Sequence, residues 1–167
     1  MLLGVELTEV PEEAWELIEQ IMALGSKERH KLGEAVRLGI AWNFAHESGG
    51  GEPWHPLAPM TVGIRRHLGF AGQHPILQRT RELKRSLVEA THPLHLYREE
   101  DHEGDWFFEY GSRDERFPVL HAGGTTEDGH PVPARPMTVL SDPAIQRLAD
   151  TITYVLRERW KRLPHQG

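Results

Sequence analysis

The chain has 167 residues, with 19 Lys and Arg against 25 Asp and Glu, a formal net charge of −6. That length suits one domain with its own core, and the negative balance argues against a general nucleic-acid binder. Cys is absent, which excludes disulfides, thiolate metal sites and Cys nucleophiles, and the apolar runs are far too short to span a bilayer.

The start, Met1-Leu2-Leu3-Gly4-Val5-Glu6, meets acid at once and is not expected to act as a secretory signal. Residues 2–7 suit a short strand or arm. Pro11-Glu12-Glu13 predicts a helix start, since Pro fits the first turn and acids suit the dipole there. Trp15, Ile18 and Met22 recur at helical spacing up to Gly25, and this first helix is expected to be peripheral. Ser26 opens a second helix in which Leu32, Val36, Ile40 and Phe44 repeat every four residues. Gly33 and Gly39 inside it cost about 1 kcal/mol each relative to Ala, a cost that close helix contact would explain. Gly49-Gly50-Gly51 ends it.

Residues 49–60 read as a loop, 61–69 as a short helix, 70–75 as a turn and 76–90 as a basic helix carrying Leu77, Leu83 and Leu87. Residues 94–98 and 106–110 predict a hairpin across an acidic turn, with aromatic Trp106-Phe107-Phe108 on the second strand. Residues 123–129 read as a mobile stretch and 133–140 as extended. The last helix is expected to start with Asp142 as N-cap and Pro143 at N1. Its apolar face is Ile145, Leu148, Ala149, Ile152, Val155, Leu156 and Trp160. The expectation is a single α+β domain over residues 1–167: a small antiparallel sheet, a hairpin plus one or two strands, packed against several helices, with a long C-terminal helix.

The 11 His prompt a search for metal sites. His46-Glu47 begins like a zincin helix, but Gly50 stands where the second His is needed. His92 and His95 are separated by Pro93, and on a strand an i, i+3 pair points to opposite faces. There is no G-x-S-x-G elbow, P-loop or G-x-G-x-x-G. The paired acids at Glu12-Glu13 and Glu99-Glu100-Asp101 sit at a helix start and in a turn, where acids are ordinary. No catalytic residue, metal ligand or cofactor is therefore expected.

Charge is distributed in blocks: net −6 over residues 1–60, +4 over 61–92, −6 over 93–115 and +2 over 116–167. Such blocks suit solvated faces, or a basic face of one copy meeting an acidic face of the next.

Three stretches carry a resemblance. They are Trp54-His55-Pro56-Leu57-Ala58-Pro59-Met60-Thr61, followed by Arg65 and Arg66; Ile76-Leu77-Gln78-Arg79-Thr80-Arg81-Glu82-Leu83; and Tyr110-Gly111-Ser112, His121-Ala122-Gly123-Gly124 and Pro133-Ala134-Arg135-Pro136 before the last helix. In this order and spacing they resemble the virion morphogenesis, or tail completion, proteins of tailed phages (Mu G protein-like, P2 S protein-like). The resemblance covers residues ~30–160, most of a domain of this size. Arg81 stands where the family has Gly, so a tight turn with positive φ is not expected there, and Met137-Thr138 stand in place of Phe-Leu.

The resemblance implies a structural protein without enzymatic activity that completes the tail or neck so that head and tail can join. Its place would be the virion, after assembly in the host cytoplasm. Its partners would be itself, in a ring that is often six-fold, and tail tube or neck proteins. Nucleic acid and membranes are not expected partners. The rival reading, motivated by the His content and the basic block, is a His-dependent metal hydrolase or nuclease.

The interface candidates are Trp54, Leu57, Pro59, Arg65, Arg66, Arg81, Arg85 and Arg135. For Trp54 two roles stand open: an anchor of the loop at an interface, or a plug in its own core. Thr80 is expected to cap the following helix, and Leu83 to be core. His121 and Gly123 mark a close turn with a structural His. Pro133 and Pro136 hold Arg135 stiffly for a carboxylate contact.

Overall fold

The computed structural model describes residues 25–102, 105–125 and 129–162; the strand or arm over 2–7 and most of the N-terminal helix expected up to Gly25 lie outside them. Helix α1 (Ser26–His46) forms where the four-residue repeat predicts it, burying Leu32, Val36, Ile40 and Phe44. It ends at Glu47, whose φ of 50° is left-handed. Two short strands follow within the glycine loop, β1 (Ser48–Gly49) and β2 (Glu52–Pro53), paired antiparallel. Helix α2 (Pro59–His67) starts with Pro in its first turn, as the missing N–H allows.

Helix α3 is only Glu82–Val88, shorter than the helix expected over 76–90. Long-range tethers hold residues 76–78 open. The Ile76 N–H donates to Glu47 Oε1 at 2.6 Å, and Gln78 Nε2 donates to the Phe44 carbonyl at 2.8 Å. Leu77 (φ 57°) and Arg81 (φ 63°) adopt left-handed backbone. Arg81, not Thr80, is the N-cap of α3, and no side-chain hydrogen bond caps it. The positive φ not expected at Arg81 is therefore present.

Strands β3 (His95–His102) and β4 (Asp105–Ser112) form a hairpin longer than the expected one. Glu99, Glu100 and Asp101 belong to the ladder, opposite Phe108, Phe107 and Trp106. Helix α4 (Phe117–Ala122) leads to β5 (Gly124–Thr125), which pairs with β6 (Pro131–Val132). Beyond β6, residues 133–140 carry no strand. Helix α5 (Asp142–Trp160) is capped by Ser141 rather than Asp142, with Pro143 in its first turn. The described residues thus give an α+β fold of five helices, a long one at the C-terminal end, and three small antiparallel two-stranded sheets. No described helix is long and apolar enough to cross a membrane.

The core joins Val36, Ile40 and Phe44 of α1 to Trp54, Ile76, Leu83 and Leu87 of α3, and Met137. Trp54 meets Phe44 edge-on, ring centroids 5.2 Å apart, a favourable aromatic geometry. Of the two roles open for Trp54, the core plug is the one the structure contains. Leu83 is core, as expected.

Two glycines allow close approach. A Cβ on Gly39 would lie 2.7 Å from Leu140 and 3.1 Å from Ala144, so α1 and α5 meet there. A Cβ on Gly49 would lie 1.8 Å from the Pro136 carbonyl oxygen. Asn43, fully buried, latches the same seam: its Nδ2 donates to the carbonyls of Met137 and Val139, both at 2.9 Å. Helix α5 buries Ala144 and Val155, whereas Ile145, Ile152 and Trp160 of its expected apolar face are exposed.

Candidate functional site: an arginine-lined pocket

A cavity of about 460 Å³ lies among α2, the residues before α3, α4 and the segment around β6. Its volume falls within the roughly 300–1,000 Å³ of ordinary ligand pockets. The three stretches singled out in the sequence all contribute to its wall. Pro56, Leu57, Ala58 and Thr61 come from the first, with Arg65 just beyond; Leu77, Arg79, Thr80 and Leu83 from the second; and Pro133 and Arg135 from the third. Residues up to 79 positions apart in sequence meet here, because the 54–58 loop is tied to the 133–135 segment through Arg135.

Arg135 is 4 % exposed. Its Nε donates to the His55 carbonyl at 3.0 Å and its Nη2 to the Pro56 carbonyl at 3.2 Å; Nη1 reaches the Pro133 carbonyl at 3.4 Å. The guanidinium therefore holds three backbone oxygens, and among the described residues no carboxylate makes the contact expected for it. Burial pushes its pKa below the usual arginine value, since desolvation disfavours the charged form.

His121 fixes the neighbouring turn. Its Nδ1 accepts the Met137 N–H at 3.0 Å, which requires an unprotonated ring nitrogen. Burial lowers its pKa in the same direction. Gly123 follows as the C-cap of α4 with φ 79°. The structural His and close turn expected here are present.

Among the described residues, every titratable side chain on the cavity wall is an arginine: Arg65, Arg79, Arg116 and Arg135. Arg116 donates to Asp114 Oδ1 through Nε at 2.8 Å, which holds the Asp114 carboxyl below its ordinary range. Arg79 stacks over Phe70, 5.7 Å from the ring centroid. Arg65 differs from both. It is 5 % exposed, and its Nε has no hydrogen-bond partner among the described residues. An unsatisfied buried donor costs about 1–3 kcal/mol, more when charged. Such a wall can bind an anion with an apolar body. It offers no group to take up a proton, because guanidinium groups stay protonated.

The remaining candidates lie elsewhere. Arg66, Arg81 and Pro59 are exposed. Arg85 is engaged on α3 with Glu89 at 3.0 Å and Glu82 at 3.3 Å. Arg79, Arg116 and Leu120 belong to the pocket but were not among the site residues taken from the sequence, since a lone basic or apolar residue carries no signature of what it lines.

A second cavity of about 280 Å³ gathers His30, Glu34, Arg37, His95, Tyr97 and Tyr110. Several of these groups serve packing: Arg37 pairs with Glu34 and donates to the Val88 carbonyl, Tyr110 donates to the Leu87 carbonyl, and His95 bonds the Ser86 carbonyl. Among the described residues no three His, Cys, Asp or Glu side chains converge to hold a metal ion. Glu47, of the zincin-like His-Glu pair, is the tether for Ile76 described above. Comparison with family models, with curated proteins and with solved structures finds no match to this chain.

Proposed function

We propose that the protein is a structural component of a tailed phage or prophage, completing the tail or neck and docking onto copies of itself and onto its virion neighbours. The observation that carries this reading is the convergence of the three resemblance stretches on one cavity wall. Parts of all three stretches, far apart in sequence, contribute to that one wall, and this supports reading them as a shared surface. The backbone at Arg81 adds support: its φ of 63° is the conformation glycine adopts most readily, and glycine is the residue the family has there. The segregated charge also fits repeated docking, with an acidic block over residues 93–115 and a basic one over 61–92.

The test is to purify the full chain and examine it by mass photometry and negative-stain microscopy. This is done alone and with tail tubes from the virion whose genome encodes it. Closed rings, or a collar at one end of the tube, are expected. A chain that ignores tubes, and instead binds zinc or manganese at one per molecule and cleaves nucleic acid or an ester, overturns the reading in favour of a metal hydrolase or nuclease.

A further inference from the structure

We propose that the arginine-lined pocket of one copy receives the outer face of hairpin β3–β4 from a second copy, with Phe107 in the cavity and Glu109 on the arginines. This rests on the assembly reading above and names the contact by which assembly would occur.

The pocket asks for two things at once. Its walls are largely apolar, built by Leu57, Leu77, Leu120 and Val132, and they favour an apolar group. Arg65, almost wholly buried with its Nε unpartnered among the described residues, lacks an acceptor. With Arg79 exposed at the wall, the site is poised for a carboxylate attached to something apolar.

The hairpin presents that combination. Phe107 is 56 % exposed. Side chains two apart on a strand share a face, so Glu109, also exposed, stands beside it. Glu100 is directly across the ladder from Phe107 and pairs with Arg98, which is itself directly across from Glu109. An exposed ring beside two carboxylates and a single guanidinium leaves an excess of negative charge, which complements an apolar cavity flanked by guanidinium groups. Exposing such a ring is unfavourable unless something covers it.

No described residue of hairpin β3–β4 lines the pocket of its own chain. Phe107 sits five residues from Ser112, about 17 Å along the strand at the usual rise, and Ser112 is the end of β4 from which the chain runs to Arg116 on the cavity wall. The contact joins two different surfaces, so it is heterologous and repeats from copy to copy, closing into a ring where the rotation permits.

The chain has no native cysteine, which makes an introduced pair unambiguous. Phe107→Cys and Thr61→Cys are placed together in the full chain; Thr61 is an exposed residue on the cavity wall. Mild oxidation at millimolar concentration is expected to give a ladder of disulfide-linked trimers and larger species. Each single variant can give dimers at most, and an equimolar mixture of the two single variants should give one heterodimer. In the cysteine-free chain, Phe107→Ala with Glu109→Lys should weaken self-association at least about tenfold, the loss expected for an anchor residue. Arg79→Glu should do the same, and mixing these two defective variants should restore a one-to-one complex through the intact surface of each. Absence of the ladder from the folded double-cysteine variant overturns the inference. If the native chain nonetheless forms rings or binds tail tubes, the assembly reading survives; if it does neither, both fail.

Discussion

Arg135 is the residue whose removal distinguishes an internal strut from an assembly contact. Replacing it with Ala deletes two well-formed bonds, to His55 O at 3.0 Å and Pro56 O at 3.2 Å, and one marginal one to Pro133 O at 3.4 Å. Hydrogen bonds from a charged group contribute about 1.5–3 kcal/mol each. Two of them give an upper figure near 6 kcal/mol, from which the cost of keeping a guanidinium buried must be subtracted. That cost is real here, because burial lowers the pKa of Arg135. A net loss of about 3 kcal/mol is expected. In a chain of this length 1 kcal/mol shifts the melting temperature by roughly 2–4 °C, so thermal unfolding followed by circular dichroism should fall by about 6–12 °C. Arg135→Met separates the terms: it restores volume without donors, and a similar loss is expected for it. If Arg135→Ala melts within 2 °C (well under the roughly 6 °C expected) of the native chain while self-association fails, the strut reasoning is refuted and an intermolecular role for Arg135 takes its place.

Asn43→Leu should cost about 2–4 kcal/mol in urea unfolding, because two carbonyls near the buried seam lose their donor; an unchanged midpoint would show that water replaces the amide without loss. Arg81→Gly should stabilise by up to about 1 kcal/mol, since relief of a left-handed non-glycine residue outweighs the added freedom of the unfolded chain; a lower midpoint would show that the Arg81 side chain contributes more than its backbone costs. His121 has a depressed folded pKa, so its contribution is fully present above the unfolded value near 6.5 and is lost as the pH falls through the lower folded value. Stability should therefore decline below about pH 6.5, and His121→Gln should flatten that limb. Glu34 and Asp114, whose pKa values are lowered by Arg37 and Arg116, should add a second decline as the pH drops through the carboxylate range.

The sequence shows α1 and α5 because their signals are local. Leu32, Val36, Ile40 and Phe44 repeat at helical spacing, and Asp142-Pro143 marks a start within one residue of the true cap. It misplaces α3 because residues 76–81 have a composition that suits a helix, while what opens them comes from afar: the Glu47 carboxylate and the Phe44 carbonyl. Arg135 is legible as a fixed guanidinium between two prolines. Its partners are not, because backbone carbonyls exist at every residue and leave no trace in composition. The pocket itself is visible only as three separate stretches; Arg116 and Leu120, which complete it, stand just before and within an unremarkable short helix. The hairpin is foreseen in kind but not in length, since acids placed by pattern in the turn can equally alternate outward along a strand.

The contact of Gly49 with the Pro136 carbonyl sets a rule for recognising other chains built on this plan. Any chain that runs its 136 segment across the β1–β2 hairpin in this way must leave position 49 without a side chain, whatever else has drifted. A distant sequence that aligns here with even alanine has therefore rerouted its backbone at that crossing, and its surface should not be inferred from this one.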